Sequence, residues 1–315
     1  MNIASAPHSP HSEEQKLDAT DIKHDSLVIK LAPKSWRPYL LLMRIDRPVG
    51  SWLLLMPCWW GTAMASNGWP DAKLIAIFFL GAFIMRGAGC VFNDIVDRDF
   101  DAKVARTALR PIPSGQVSVA KAFIFFNAMC LVGLVILLQL NMFTIWVGMA
   151  ALLPLVVYPF MKRFVYFPQL FMGFAFNWGA LLGWAAVRGE LSLAPGLLYI
   201  AGIFWTLGYD TIYAHQDKDD DVIVGIKSLA VKLGDLTRPW IAGFYILTVL
   251  FILSAGYVAN IGWAFYPAMI LPILHLVWQV RTVDFDNAKD CLSKFRLNRD
   301  FGFLVFLALV IGNVV

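Results

Sequence analysis

Nine long, almost wholly apolar stretches follow one another through this chain, and a lipid bilayer is the one solvent that accepts a polypeptide so written. They run over residues 38–66, 73–93, 119–140, 142–161, 168–187, 193–213, 239–259, 262–280 and 300–315. A helix needs about 20 apolar residues to cross the hydrocarbon core, and most of these stretches reach that length, the last being short at 16 residues. Hydrophobic residues make up 59% of the 315 and charged residues only 15%, outside the range of soluble domains. Only helices or closed barrels satisfy their backbone polar groups within lipid. The expected fold is therefore an all-α membrane protein with nine transmembrane helices, two four-helix halves around a central cavity and a ninth helix at the carboxyl end. Glycines inside the runs, among them Gly61, Gly87, Gly179 and Gly183, suit close helix packing.

Charge orders the two sides. With loops assigned alternately, 21 of the 26 Lys and Arg fall on the side of the amino terminus and only Lys73 and Arg188 on the other, while Arg44, Arg47 and Arg86 lie within the spans. By the positive-inside rule the basic side faces the cytoplasm. The net charge of +4 follows from this bias and points to no nucleic acid. Residues 1–35 read as a separate cytoplasmic tail. Met1 to Ser26 is polar, carries five acidic residues and no arginine, and has no apolar core of a leader, so it is expected to be disordered, with neither a secretory signal nor a mitochondrial presequence. Cys58, Cys90, Cys130 and Cys291 form no C-x-x-C pair, so neither a disulfide framework nor a zinc site is expected. The domain proper is 36–315.

Two acidic clusters stand at the basic side. Asn93-Asp94-Ile95-Val96-Asp97-Arg98-Asp99-Phe100-Asp101 ends the second span, and Asp217-Lys218-Asp219-Asp220-Asp221 follows the sixth. On a helix Asp94, Asp97 and Asp101 fall at i, i+3 and i+7, and Asp210, Asp217 and Asp221 at i, i+7 and i+11, so each set lines one face. A single acidic loop is ordinarily a solvated surface. Two clusters that both begin inside apolar runs call for a cation, and carboxylate oxygens shared with a phosphate are what Mg2+ prefers. The four-helix offset between the clusters, with a basic loop after each, suggests a weak internal repeat. Deeper still lie Asp210 and Arg86, which need a partner or a polar cavity because an ionisable group at mid-bilayer costs roughly 2.5 to 3.5 kcal/mol.

The N-D-I-V-D-R-D-F-D at 93–101, R-P-I-P-S-G at 110–115, Y-P-F-M-K-R at 158–163, Y-D-T-I-Y-A-H-Q-D-K-D-D-D at 209–221 and L-M-R-I-D-R-P-V-G at 42–50 resemble the UbiA superfamily of membrane prenyltransferases, most closely those that prenylate 4-hydroxybenzoate for ubiquinone synthesis. One departure is Leu229, where a threonine is expected in bacterial relatives. The resemblance implies a polyprenyl diphosphate bound through Mg2+ by Asn93, Asp97 and Asp101 and by Asp217 and Asp221, with Asp94 either ligating the metal or orienting a metal-bound water. Arg106, Arg110, Lys162, Lys218 and Lys227 are placed to neutralise the diphosphate. Tyr158, Tyr209, Tyr213 or Trp205 would face an allylic cation, Asp210 would handle the phenolic proton or fix the hydroxyl, and Arg86, or its rivals Arg44 and Arg47, would bind the acceptor's carboxylate. The expected location is a bacterial cytoplasmic membrane, with the amino terminus and both motifs cytoplasmic. Haem, a chlorophyllide, homogentisate and a dihydroxynaphthoate remain open as acceptors. Outside this chemistry, phospholipid-making phosphotransferases carry a D-G-x-x-A-R start absent here, and a divalent-cation transporter would place its carboxylates near the midplane.

Overall fold

A computed structural model describes residues 22, 26–104, 107–161, 164–218 and 228–315, and those residues contain helices and turns but no strand. In chain order the helices are α1 (Leu27–Leu31), α2 (Arg37–Leu42), α3 (Val49–Ala65), α4 (Ala72–Asp101), α5 (Val119–Leu137), α6 (Met142–Ala150), α7 (Leu152–Met161), α8 (Pro168–Phe176), α9 (Gly179–Arg188), α10 (Leu193–Ala214), α11 (Leu229–Leu233), α12 (Thr237–Val258), α13 (Phe265–Ala268), α14 (Ile270–Thr282) and α15 (Ala288–Val314). Among the described residues, five segments are long and apolar enough to cross a membrane. The expected nine-helix count is therefore not reached by that criterion. The chain also does not divide into sequential halves: one compact unit joins the residues up to Pro48 with Gly87–Cys130, and the other joins Val49–Arg86 with Leu131–Val315.

Several expected spans have different ends or are broken, each for a local reason. The 38–66 run is interrupted by a turn between α2 and α3, where three charged residues and Pro48 stand in apolar surroundings. The 142–161 run breaks at Ala151 and the 262–280 run at Met269. In both, a proline lies four residues beyond the end of the preceding helix, Pro154 after Ala150 and Pro272 after Ala268, and its ring would collide with that carbonyl in a continuous helix. As expected, the acidic motif ends the second span on a helix: it forms the last turns of α4, which runs 30 residues, or about 45 Å at 1.5 Å per residue. The 300–315 stretch belongs to the 27-residue α15, which starts at Ala288 because the Asn287 side chain accepts from the Lys289 and Asp290 amides at 3.0 and 3.2 Å. Within the segment read as a tail, Leu27–Leu31 form a helical turn whose Ile29 is buried with Ile22, Leu41 and partly buried Leu109.

In the larger unit, α3 packs against α9 and α15, and α10 against α8, α12 and α15, around a core that includes Trp60, Trp205, Tyr209, Phe265 and Phe301. The α3–α9 contact depends on missing side chains. A Cβ at Gly183 would strike the Cys58 carbonyl and come within 2.7 Å of the Thr62 nitrogen, and one at Gly179 would sit 2.5 Å from Cys58 Sγ. Small residues at a four-residue spacing let the two backbones meet, which is how helices associate in lipid. Gly183→Val is expected to destabilise the detergent-solubilised protein by about 1–3 kcal/mol through overpacking. Gly196→Ala, at a position with nothing within 4 Å, is the control. Equal thermal midpoints for the two variants would show that the α3–α9 approach is not tight.

Candidate functional site

The smaller unit contains the first acidic motif. α4 turns Asp94, Asp97 and Asp101 inward, exposed by 1%, 2% and 9%, and leaves Arg98 and Asp99 in the open. The expected common face is present. Two arginines from outside the helix meet it. Nη2 of Arg44 lies 2.7 and 2.9 Å from the two carboxylate oxygens of Asp94, and Nη1 of Arg110 donates to Asp101 Oδ2 at 2.9 Å and Asp94 Oδ1 at 3.3 Å. A buried carboxylate is tolerated when paired and hydrogen-bonded, and these two guanidinium groups supply that pairing.

The backbone that carries Arg44 is unusual. α2 ends at Leu42, the Arg44 amide donates to Leu41 O at 3.0 Å, and the Ile45 amide reaches back to Leu40 O at 3.2 Å. This is the paired-carbonyl cap in which the residue after the C-cap adopts the left-handed conformation, normally a glycine. Here that residue is Arg44, at φ +60°. A side chain in this region costs of order 1–3 kcal/mol and persists where surrounding contacts require it. The Asp94 pair, with a further bond from Arg44 Nη1 to Leu41 O at 3.2 Å, is the contact that does so. Arg47 lies in the same turn with Nη1 3.6 Å from Asp46 Oδ2.

Arg110 is placed by the R-P-I-P-S-G turn. Thr107 donates its hydroxyl to the Asp101 carbonyl at 2.8 Å, closing the end of α4, and the Arg110 amide donates to Thr107 O at 2.9 Å. Beyond it Gly115, at φ +75°, donates to Ile112 O at 3.0 Å, and Val117 to Pro111 O at 2.9 Å. The glycine occupies the left-handed position that the fold of this turn requires.

The larger unit contains the deeper residues. Arg86 lies over the Phe176 ring at 5.3 Å from its centroid, and a Cβ at Gly50 would sit 2.7 Å from its Nε. Asp210 on α10 and Arg86 on α4 are both partly buried and both belong to the larger unit. Tyr209 and Trp205 are fully buried, with Trp205 against Trp60, Tyr209 and Phe301 at 5.0 to 5.4 Å and Tyr209 also 5.8 Å from Phe295. Their rings are core packing, whereas Tyr213, 4.6 Å from Phe295, and Tyr158 are only partly buried. The face expected to carry Asp210, Asp217 and Asp221 does not continue as one helix. α10 stops at Ala214 and His215–Asp217 form a 3-10 turn, whose tighter winding of 3.0 residues per turn shifts the phase. The side chain of Asp217 lies outside what the structure describes, as do Arg106, Lys162, Asp221 and Lys227. Lys218 is half-buried at the end of that turn.

Three polar residues here were missed in the sequence. Asn177, at the break between α8 and α9, donates to Gly173 O at 2.9 Å and to Thr206 Oγ1 at 2.8 Å, and Thr206 reaches the Tyr209 hydroxyl at 3.1 Å. The lone Asn inside the 168–187 apolar run was the available signal. His215 shares a bond with Thr237 at 3.0 Å, and its ring lies tilted at 46° against Phe285 with centroids 4.7 Å apart. Burial first, and the Lys218 charge second, push its pKa down to about 4. It is therefore a neutral tie from the end of α10 to the start of α12.

The donor chemistry of the α4 face fits Mg2+: three buried carboxylates, all hard oxygen, at a surface already built to balance negative with positive charge. The described residues do not gather three His, Cys, Asp or Glu side chains around one point.

Helices that include apolar, membrane-length segments, one of which turns a buried acidic face toward two arginines, define an all-helical membrane protein with a charged site. The profile of the UbiA prenyltransferase family matches residues 54–309. The chain is 46% identical to a mitochondrial 4-hydroxybenzoate polyprenyltransferase of Rattus norvegicus, over 91% of its own length and 78% of the relative's, and 44% identical to one of Arabidopsis thaliana over 96% and 75%. For the Aedes aegypti protein of the same name the identity is 47% over 88% of this chain, which spans only 64% of that relative's length. Among solved structures, a UbiA homologue from Aeropyrum pernix K1 superposes with a TM-score of 0.69 at 22% identity, covering 83% of this chain and 97% of that one. One from Archaeoglobus fulgidus bound to GPP and Mg2+ gives 0.64 at 18%, covering 86% and 99%. The chain belongs to the UbiA prenyltransferase family and is a transferase of that class. The expectation of a bacterial cytoplasmic membrane is overturned, because these relatives are named as mitochondrial proteins. The charge asymmetry ranks the two sides of a bilayer against each other and does not say which bilayer it is.

Proposed function

We propose that the chain transfers a polyprenyl group from polyprenyl diphosphate to the ring carbon ortho to the hydroxyl of 4-hydroxybenzoate, with Mg2+ and in ubiquinone synthesis. The observation that carries this reading is the inward face of α4, whose buried Asp94 and Asp101 are each bonded to an arginine, in a chain whose relatives are named for that activity. Asn93, Asp97 and Asp101 would hold the metal on this motif and Asp217 and Asp221 on the other, with Asp94 either a ligand or an orienter of metal-bound water. When bound, Mg2+ would supply charge neutralisation of the departing diphosphate. Arg110, with Arg106, Lys162, Lys218 and Lys227, adds fixed positive charge for the same anion. In the balanced step the allylic C–O bond breaks with its electron pair leaving on the diphosphate, a C–C bond forms at the ring carbon, and the proton lost from that carbon passes to the released diphosphate or to water. Asp210 holds the acceptor's hydroxyl and Arg86 its carboxylate, while Tyr158 and Tyr213 offer ring faces to the allylic cation.

The test is direct. Purified protein given polyprenyl diphosphate, Mg2+ and 4-hydroxybenzoate should form the prenylated acid and stop when EDTA removes the metal. Undiminished product in metal-free membranes would overturn the metal-assisted reading, and prenylation of homogentisate in preference to 4-hydroxybenzoate would overturn the acceptor. Arg86→Ala is expected to raise KM for 4-hydroxybenzoate by about 10- to 100-fold, the loss of one charge-assisted bond of about 1.5–3 kcal/mol. The penalty should shrink for a phenol without the carboxylate. An equal loss with both acceptors would place Arg86 elsewhere in the mechanism.

A further inference from the structure

Away from these residues, α12 and α14 lie side by side and leave an apolar groove of about 330 Å³ between them. Ala242, Ile246 and Leu250 form one wall and Ile273 and Val277 the other, each wall following one face of its helix at three- and four-residue steps. From Ala242 to Leu250, and from Ile273 to Arg281, the walls extend for roughly 12 Å at 1.5 Å per residue. One end is basic. Arg281 lines the groove at the last turn of α14, is exposed, and has no ion-pair partner among the described residues. Arg238, in the first turn of α12, stands at the same end, since its guanidinium donates to the carbonyls of Val280 and Val283, the latter at 2.8 Å, and lies 5.2 Å from the Phe285 ring centroid. It too has no carboxylate partner among the described residues. The carboxylate of Asp284 beside them accepts the Asp286 amide at 3.1 Å.

An apolar slot that ends in two exposed arginines with no ion-pair partner among the described residues matches a ligand with an extended hydrocarbon tail and an anionic head. We propose that this groove binds an anionic glycerophospholipid, with one acyl chain between α12 and α14 and its phosphate on Arg281 and Arg238. Basic pockets between membrane helices recognise acidic head groups in this way. A second copy of the chain, inserted with the same sidedness, would bring two further arginines to the same level and is disfavoured by that repulsion.

The experiment uses the full chain purified in detergent and delipidated, then offered dioleoyl phosphatidylglycerol or dioleoyl phosphatidylcholine, with bound lipid counted by native mass spectrometry. At least tenfold tighter retention of the phosphatidylglycerol is expected. Arg281→Gln should reduce that preference to under threefold, and Val277→Trp, which fills the slot, should abolish retention of the first tightly held lipid. Thermal midpoints of both variants check folding; should Val277→Trp fail to fold, the exposed Arg281→Gln variant alone decides. Equal retention of the two lipids, a preference that survives Arg281→Gln, retention unaffected by Val277→Trp in folded protein, or a wild-type dimer that Val277→Trp dissociates would each overturn the assignment.

Discussion

Replacing Asp97 by asparagine is expected to slow prenyl transfer by about 100-fold or more, the scale of removing one electrostatic stabiliser from a reacting centre. The same replacement at Asp99, two residues along the same motif, should leave the rate within about twofold, as for a surface substitution. The difference lies in helical phase. Asp97 is 2% exposed on the inward face of α4 with Asp94 and Asp101, whereas the Asp99 side chain is 77% exposed, with Arg98 beside it at 3.6 Å. Initial rates of prenylated product at saturating Mg2+, on protein eluting as one species, measure both. Comparable losses at the two positions would mean that motif charge in general, and not the inward face, supports the reaction.

Arg44 gives the second large effect, and it separates side chain from backbone. Arg44→Gly removes the guanidinium from Asp94 but suits the left-handed backbone, while Arg44→Ala removes it and keeps a Cβ at φ +60°. Breaking a buried ion pair costs 3–5 kcal/mol. Arg110 still reaches Asp94 at 3.3 Å, so a loss of about 2–3 kcal/mol is expected for Arg44→Gly, with about 1 kcal/mol more for Arg44→Ala. Both variants should also lose activity, because Asp94, left with the longer Arg110 contact, is no longer held through both of its oxygens. Thermal unfolding in detergent reads the stability and the transfer assay reads the rate. If the alanine variant is as stable as the glycine variant, the left-handed backbone at Arg44 is not under strain. If the glycine variant matches the wild type, the Asp94 pair does not hold this unit together.

The two arginines show how local chemistry and tertiary placement combine. The motif around Arg110 points to diphosphate neutralisation, and the position of Arg44 to the acceptor's carboxylate. The structure brings both to the α4 carboxylates, because the turn after α2 and the turn at 110–115 return to the same helix face. Sequence separation hides this: Arg44 and Asp94 are 50 residues apart, and no periodicity links a cap residue to a helix that begins 28 positions later. Asp210 and Arg86 were legible because an ionisable residue in an apolar run is conspicuous at any range. Tyr209 and Trp205 were not separable from lining residues, since an aromatic ring has the same hydropathy whether it faces a cavity or the core.

Lipid compatibility, helical class, the inward phase of Asp94, Asp97 and Asp101, and the family to which the chain belongs were all determined by the order of residues. The physical reason is that each depends on a short-range property: apolar run length, the 3.6-residue repeat, or a contiguous motif. Other features required the folded chain: the breaks at Ala151 and Met269, the extension of α15 back to Ala288, the 3-10 turn that ends α10 at Ala214, and the pairing of Arg44 with Asp94. Prolines and caps mark where a helix can end, but neighbouring helices decide whether the break is accepted. A buried carboxylate likewise needs some cation, and only long-range contacts select which arginine supplies it.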